Sequence, residues 1–209
     1  MLSKIIRALQ AAAYHGGLTA NSGAEYRYQL SLKSVIRFER KHTLIRAEEQ
    51  RDWAAVHAVN VSAFETPAEA NLVDALREHA QPLVSLIAEV NGAIVGHIMF
   101  SPVSLSGHTA LKIMGLAPMA VAPDYQRKGI GHALVRAGLE QCKQLGIGAV
   151  VVLGHPTYYP RFGFFSSTSF GIGCEYEVPE EVFMVVELEA GFLRSASGKV
   201  KYHAAFSNV

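Results

Sequence analysis

Hydrophobic positions become dense and regular from Leu44 onward, and their period changes along the chain. Leu44 to Arg46 reads as a short strand, and from Glu48 to Phe64 the residues Trp53, Val56, Val59, Ala63 and Phe64 recur at helical spacing. Pro67, tolerated in a first helical turn, opens a second helix through Leu72, Val73 and Leu76 to about His79. The pattern then turns to β. Leu83 to Val90 and Ala93 to Val103 flank Asn91-Gly92, the dipeptide whose positive φ angles best suit a two-residue hairpin turn. Leu111 to Val121 makes another strand, Ile130 to Leu145 a helix closed by Gly146 as C-cap, and Ala149 to Leu153 a buried β run. Strand, glycine-containing loop, helix and strand in succession form a βαβ unit, so those two strands are expected to be parallel. A short helix near Thr157 to Phe162 and β segments around Phe165 to Ile172 and Phe183 to Leu188 complete the pattern.

The residues before Leu44 lack this density. Lys4, Arg7, Arg27, Lys33, Arg37, Arg40 and Lys41 face only Glu25 and Glu39, which sets 1–42 apart as a basic N-terminal extension with a short amphipathic helix around Lys4 to Ala13. It has no continuous apolar block or small-residue cleavage site of a secretory signal. We therefore expect a main domain over 43–190 and a C-terminal tail over 191–209. Of the 209 residues 50% are hydrophobic and 18% charged, enough for a substantial core and unlike a disordered chain. The formal net charge of +1 provides no field for nucleic acid or an acidic membrane, and no apolar run approaches the length of a membrane span. The two cysteines, Cys142 and Cys174, have neither disulfide-framework nor metal-knuckle spacing, and the histidines are scattered, so no metal is expected and a reducing cytoplasm is the simplest location.

The chemistry concentrates where the fourth strand runs into the third helix, over Val121-Ala-Pro-Asp-Tyr-Gln126-Arg127-Lys128-Gly129-Ile130-Gly131-His132. Gly129 and Gly131 let a ligand approach the backbone, first-turn N–H groups have no intrahelical acceptor, and Arg127 and Lys128 add positive charge. An anion belongs at that terminus. A Walker loop is absent, and the dinucleotide fingerprint fails because its third glycine would fall at Leu134. Pro118 lies inside the preceding strand, where its missing N–H predicts a bulge or an unpaired stretch.

Gln126-Arg127-Lys128-Gly129-Ile130-Gly131 resembles the Q/R-x-x-G-x-G/A pyrophosphate loop of the GNAT superfamily of acyl-CoA-dependent N-acetyltransferases. The resemblance extends through Leu116 to Val121 and through Gly154 to Phe164, which reads Gly-x-Pro-x-Tyr-Tyr-x-Arg-Phe-Gly-Phe as in a subgroup of bacterial predicted acetyltransferases. It covers roughly Leu44 to Leu188. It implies an α/β (α+β) fold with a mixed, mostly antiparallel sheet of six to seven strands, helices on both faces and a V-shaped splay between the two central parallel strands. It further implies acetyl-CoA as co-substrate, held by Met119, Ala120, Val121 and the loop from Gln126 to His132. Met119 N–H would polarise the acyl carbonyl, and Tyr159, four residues before Gly163, would be the general acid, with Tyr158 as the adjacent alternative. The acceptor would be a small-molecule or peptide amine.

Two proton problems follow from that chemistry. An alkyl ammonium of pKa near 10 leaves only about one molecule in a thousand neutral at pH 7, and a tyrosine of pKa about 10 protonates a thiolate of pKa about 8.5 uphill by about 2 kcal/mol. The strand from Leu111 to Val121 carries no carboxylate for the base that many members of the family use, which leaves Glu65, Glu89, His97 and His155 as candidates. A non-catalytic acyl-CoA-binding or sensing module, or a helix-sheet domain that binds nothing, would share the same pattern. A strand near the C-terminus is able to pair between subunits of a homodimer.

Overall fold

The computed structural model of the protein describes residues 43–208 and, upstream of them, two short strands, β1 (Leu30–Ser31) and β2 (Val35–Ile36), that pair antiparallel with each other. The helix expected around Lys4 to Ala13 lies outside the described residues. The main sheet is built from β3 (Thr43–Ala47), β4 (Val84–Val90), β5 (Ala93–Leu105), β6 (Ile113–Val121), β7 (Ala149–Leu153), β8 (Phe165–Ser166) and β10 (Phe183–Glu187), in the order β3-β4-β5-β6-β7-β10-β8. Strands β9 (Ile172–Cys174) and β11 (Gly198–Lys201) pair with each other, β11 also pairs with β5, and the sheet reaches nine strands. Helices α1 (Trp53–Ala63) and α2 (Ala68–His79) precede β4, and α3 (Ile130–Gln144) connects β6 to β7.

Local chemistry accounts for the joints. Asn91 and Gly92 adopt φ of 50° and 81°, so the chain reverses in two residues and pairs Val90 with Ala93. Helix α3 ends with Ile147 N–H donating to Cys142 C=O and Gly146 N–H to Lys143 C=O, with Gly146 at φ 70°; the C-cap residue itself is Leu145, one before the glycine. Connecting β6 to β7 through α3 makes them parallel, with Ile113, Met114, Gly115 and Leu116 opposite Ala149, Val150, Val151 and Val152.

Three expectations need correction. The stretch from Thr157 to Phe162 forms only a 3₁₀ turn over Tyr159–Phe162, because Pro160 brings no N–H and Gly163, at φ 88°, ends the turn. The β segment expected around Phe165 to Ile172 is broken into β8, a 3₁₀ turn over Ser167–Phe170 and β9. Its serines and threonine bond locally, Ser166 Oγ to Thr168 Oγ1 at 2.8 Å, and Gly171 at φ 67° redirects the chain. The stretch after residue 190, expected to be a tail, supplies β11 and buries Val200, Ala205 and Phe206.

The sheet has different cover on its two faces. On one, Ile130, Leu134, Val135 and Cys142 of α3 pack on Ile98, Phe100, Met114, Leu116, Val150 and Val152. A fully buried leucine such as Leu134 contributes about 1.5–3 kcal/mol. On the other, α1 and α2 pack Val56, Leu72 and Leu76 on Ile87, Met99 and Ala117, joined by Ala205 and Phe206.

A buried polar chain runs under α1. Asn60 Nδ2 donates to His97 Nδ1 (3.1 Å), leaving the proton on Nε2, which lies 3.0 Å from Ser85 Oγ; Ser85 in turn donates to Glu48, which Arg77 pairs. Burial is the main cause pushing the His97 imidazolium down to a pKa of about 3, assisted by the Arg77 charge. The unfolded chain, with an ordinary histidine near 6.5, therefore binds more protons than the folded one between about pH 6.5 and 3. The neutral His97 stabilises the fold above that window, and the contribution drains away as the pH falls through it. We expect the wild-type chain to lose about 2 kcal/mol more stability than His97→Gln between pH 7 and 5. Urea unfolding at the two pH values checks this, and equal losses would refute it.

Candidate active site

The site starts where a strand pairing stops. Among the described residues β7 pairs with β6 only as far as Leu116–Val152, although β6 continues to Val121. On its other side β6 stays paired with β5, with a register shift between Ile98 and Phe100 that accommodates the extra residue at Ala117-Pro118. The irregularity expected from Pro118 is thus present at Pro118. Ala122 N–H donates to Val95 C=O at 2.9 Å, so alternation along the strand aims the N–H and C=O groups of Met119 and Val121 away from β5, into the gap beside β7. Gln126 Nε2 donates to Val121 C=O at 3.0 Å, which ties the following loop to the edge of the gap. Ala120, by the same alternation, turns its backbone groups to β5, and it is buried opposite His97.

The loop then meets α3. Gly129 is the N-cap at φ 85° and Arg127 has φ 59°, two left-handed positions one residue apart that make the sharp entry to the helix. Ala133 N–H is the first to reach an acceptor in the helix, Gly129 C=O at 3.0 Å, so the amides of Ile130 and Gly131 sit in the first turn, ahead of the regular ladder. Ile130 anchors the turn in the core, while Arg127 and Lys128 are exposed, with Lys128 Nζ 5.3 Å from the centre of the Tyr125 ring. His132 lies 4.9 Å from Phe162, ring centre to ring centre, and accepts a hydrogen bond from Arg136 Nε at 2.9 Å.

The two adjacent tyrosines go to different places. The Tyr158 hydroxyl reaches the helix mouth, 3.0 Å from where a Cβ on Gly131 would stand, and Met119 Sδ lies 3.7 Å from the same point. The Tyr159 ring instead fills the space that Gly154 leaves open, where a Cβ would stand only 2.1 Å from a ring carbon, and it packs edge-on against Phe164 at 5.6 Å. Burial pushes the Tyr158 phenol up to about 12, tempered by Arg161, whose guanidinium lies over the ring, and burial pushes Tyr159 up as well. Both remain protonated donors at neutral pH.

None of the four sequence candidates for a base is an unengaged carboxylate or imidazole in the gap. Glu65 is exposed between α1 and α2, Glu89 accepts from Arg46 Nε at 3.1 Å, His97 is committed to the chain under α1, and His155 bonds Thr157 Oγ1 at 2.9 Å. Among the described residues no cluster of three or more histidine, cysteine or acidic side chains is arranged to hold a metal. Ser101 and Tyr202, which sequence reasoning did not single out, have buried hydroxyls with no hydrogen-bond partner among the described residues. Neither carries a motif that could have marked it.

Comparison with known proteins agrees with this geometry. The Acetyltransferase (GNAT) family matches residues 44–164, from β3 to the phenylalanine that packs on Tyr159. The uncharacterized N-acetyltransferase YhbS of Escherichia coli (strain K12) is 36% identical over 165 residues, covering 78% of this chain and 98% of YhbS. YjhQ of the same organism, also an uncharacterized N-acetyltransferase, is 39% identical over 144 residues, 67% of this chain and 80% of YjhQ. The crystal structure of E. coli YhbS in complex with CoA superposes with a TM-score of 0.75 at 36% identity, covering 79% of this chain and 92% of that one. A GNAT family acetyltransferase from Brucella melitensis in complex with acetyl-CoA gives 0.65 at 35% identity, covering 80% and 99%. With a frayed β6–β7 ladder, a glycine-capped helix at its mouth and these relatives along most of its length, the chain belongs to the GNAT family of acetyltransferases.

Proposed function

We propose that the protein transfers the acetyl group of acetyl-CoA to a primary amine by direct attack in a ternary complex. The observation that carries this reading is the free edge of β6, where Met119 and Val121 offer backbone groups that β7 does not take up. An extended pantetheine amide can bond there as an added strand would. The pyrophosphate then falls at the first turn of α3, where N–H groups and the positive end of the helix dipole favour anions and Arg127 and Lys128 supply counter-charge. The relatives crystallised with CoA and acetyl-CoA support acetyl-CoA as the donor. Cys142 and Cys174 are free thiols, which supports a reducing, cytoplasmic setting.

The reacting thioester would lie near the last ladder pair, Leu116–Val152. The neutral amine attacks the carbonyl carbon, a C–N bond forms, and negative charge gathers on the carbonyl oxygen, where Met119 N–H is the donor. Collapse of the tetrahedral intermediate breaks the C–S bond, the departing thiolate takes the Tyr159 proton, and the proton shed by the amine nitrogen passes through water to the phenolate and restores the Tyr159 hydroxyl. The apolar surroundings that push the Tyr159 phenol up disfavour the thiolate for the same reason, so desolvating both groups leaves the uphill step near the value of about 2 kcal/mol that it has in water. Tyr158, with its hydroxyl between Gly131 and Met119, lines the pantetheine path.

Three measurements test the reading. Acetyl-CoA is expected to raise the melting temperature, and thiol release with a panel of benzylamine, spermidine, kanamycin and an alanine-terminated tetrapeptide separates an enzyme from a module that only binds. Tyr159→Phe is expected to lower kcat about a hundredfold while keeping the acetyl-CoA melting shift, and wild-type turnover should show no descending limb below about pH 10. Loss of the melting shift in that variant, or a descending limb between pH 7 and 9, would contradict the acid role. Arg127→Glu is expected to weaken acetyl-CoA about tenfold or more and to leave acetyl-pantetheine, which has no phosphates, unchanged; equal losses for both would remove the pyrophosphate assignment.

A further inference from the structure

On the face of the sheet away from α3, two buried hydroxyls have no partner among the described residues, just below the point where β6 and β7 part. After β11 the chain turns inward, with Tyr202 N–H donating to Glu175 Oε1 at 2.6 Å, and lays the Tyr202 ring across Gly115. A Cβ on Gly115 would stand 2.8 Å from Tyr202 Cε1, so the ring fills the place of a side chain. Tyr176 stacks on it at 5.7 Å and Phe206 packs at 5.0 Å. Gly115 is paired with Ser101 on β5, and directly opposed residues of antiparallel strands point to the same face, so Ser101 and Tyr202 share a floor. Ser101 is 0% exposed. Among the described residues neither its Oγ nor the Tyr202 hydroxyl has a hydrogen-bond partner. The pair after Gly115–Val151 is Leu116–Val152, the last of the ladder, and Tyr159 is near enough to Tyr202 to act on its phenol electrostatically.

Buried polar groups in folded proteins are nearly always bonded, and replacing an unsatisfied one by an apolar group of the same shape tends to stabilise. Phenylalanine at 202 and alanine at 101 would keep the packing and remove the unmet groups. Ser101 and the Tyr202 ring over Gly115 lie one ladder pair before the end of the β6–β7 pairing, on the face opposite the helix mouth assigned above to the donor's pyrophosphate, so an acceptor meeting the thioester comes from their side.

We propose that Tyr202 and Ser101 form the acceptor end of the site, two uncharged oxygens that accept the N–H groups of the incoming primary amine and turn its lone pair toward the thioester. The inference rests on the acetyl-transfer reading above. Neither oxygen itself carries a charge to balance an ammonium, and the nearby Glu175 carboxylate is engaged by the Tyr202 backbone N–H at 2.6 Å, so the hydroxyl pair favours the neutral, nucleophilic form of the amine. Tyr202 is a positioning group for the acceptor and exchanges no proton, since burial holds its phenol well above the ordinary value.

The test uses the full chain with Tyr202→Phe and Ser101→Ala. Without any acceptor, Tyr202→Phe is expected to melt about 2–4 °C above wild type, because an unsatisfied hydroxyl has gone. With whichever amine of the benzylamine, spermidine, kanamycin and tetrapeptide panel is turned over fastest, the amine KM is expected to rise at least tenfold in Tyr202→Phe and severalfold in Ser101→Ala, with the acetyl-CoA KM within twofold of wild type. A variant damaged only in packing would melt lower and lose both substrates together. A lower or unchanged melting temperature for Tyr202→Phe overturns the proposal, as does an amine KM within twofold of wild type. If acetyl-CoA fails to raise the wild-type melting temperature, the acetyl-transfer reading falls instead, while the ligand-free melting comparison still decides whether the hydroxyl is carried at a cost to stability.

Discussion

Everything in the candidate site depends on β6 having one more residue than its partners can match. Pro118 brings no N–H to either neighbour, and the extra residue at Ala117-Pro118 is absorbed by the shift between Ile98 and Phe100. Up to Leu116 the strand is an ordinary central strand with β5 on one side and β7 on the other. Beyond it, one side stays paired and the other does not. A central strand with a free edge is normally a liability, open to pairing with whatever extended backbone comes near. Here the liability is confined to a few residues, flanked by a helix mouth on one side of the sheet and by α1 and α2 on the other, so only a narrow ligand can use it.

The two faces of the sheet treat that opening differently. On the α3 face, Gly129 and Gly131 keep the backbone bare, and Tyr158 and Met119 converge on the space beside Gly131. On the opposite face the ring of Tyr202 takes the place of a side chain at Gly115. One face therefore presents backbone amides and charge, which suit a phosphorylated chain, and the other presents neutral hydroxyls among apolar groups. The buried chain from Glu48 to Asn60 lies beside this second face and fixes α1 against β5, which makes His97 part of the frame.

Local signals in the sequence were strong enough to locate most of this. Asn91-Gly92 dictated a hairpin because its positive φ angles leave few other turns, and the switch from β period to helical period placed α3 between two parallel strands. Pro118 announced an irregularity within a strand that is otherwise apolar throughout. What could not be read was set by contacts distant in the chain. Tyr158 and Tyr159 are chemically the same residue in adjacent positions, and only the vacancy at Gly154 draws one ring inward while Gly131 admits the hydroxyl of the other. Strands β9 and β11 are short, glycine-containing and without alternation, so they exist because β5 runs on past the start of β4 and leaves an edge for β11 to cover. Ser101 and Tyr202 have no local signature at all, since what distinguishes them is a missing partner.

The pairing of β11 with the far end of β5 also has a consequence for how such a protein can vary. The residues 44–164 that match the family contain the free edge, the glycine-capped helix, Tyr158 and Tyr159, whereas Tyr202, proposed above to meet the acceptor, arrives from a later stretch and lays its ring on Gly115. Selectivity for the nucleophile can then drift by exchanging a handful of carboxy-terminal residues, leaving the thioester machinery under its own separate constraint, much as interchangeable bits are fitted to one drill.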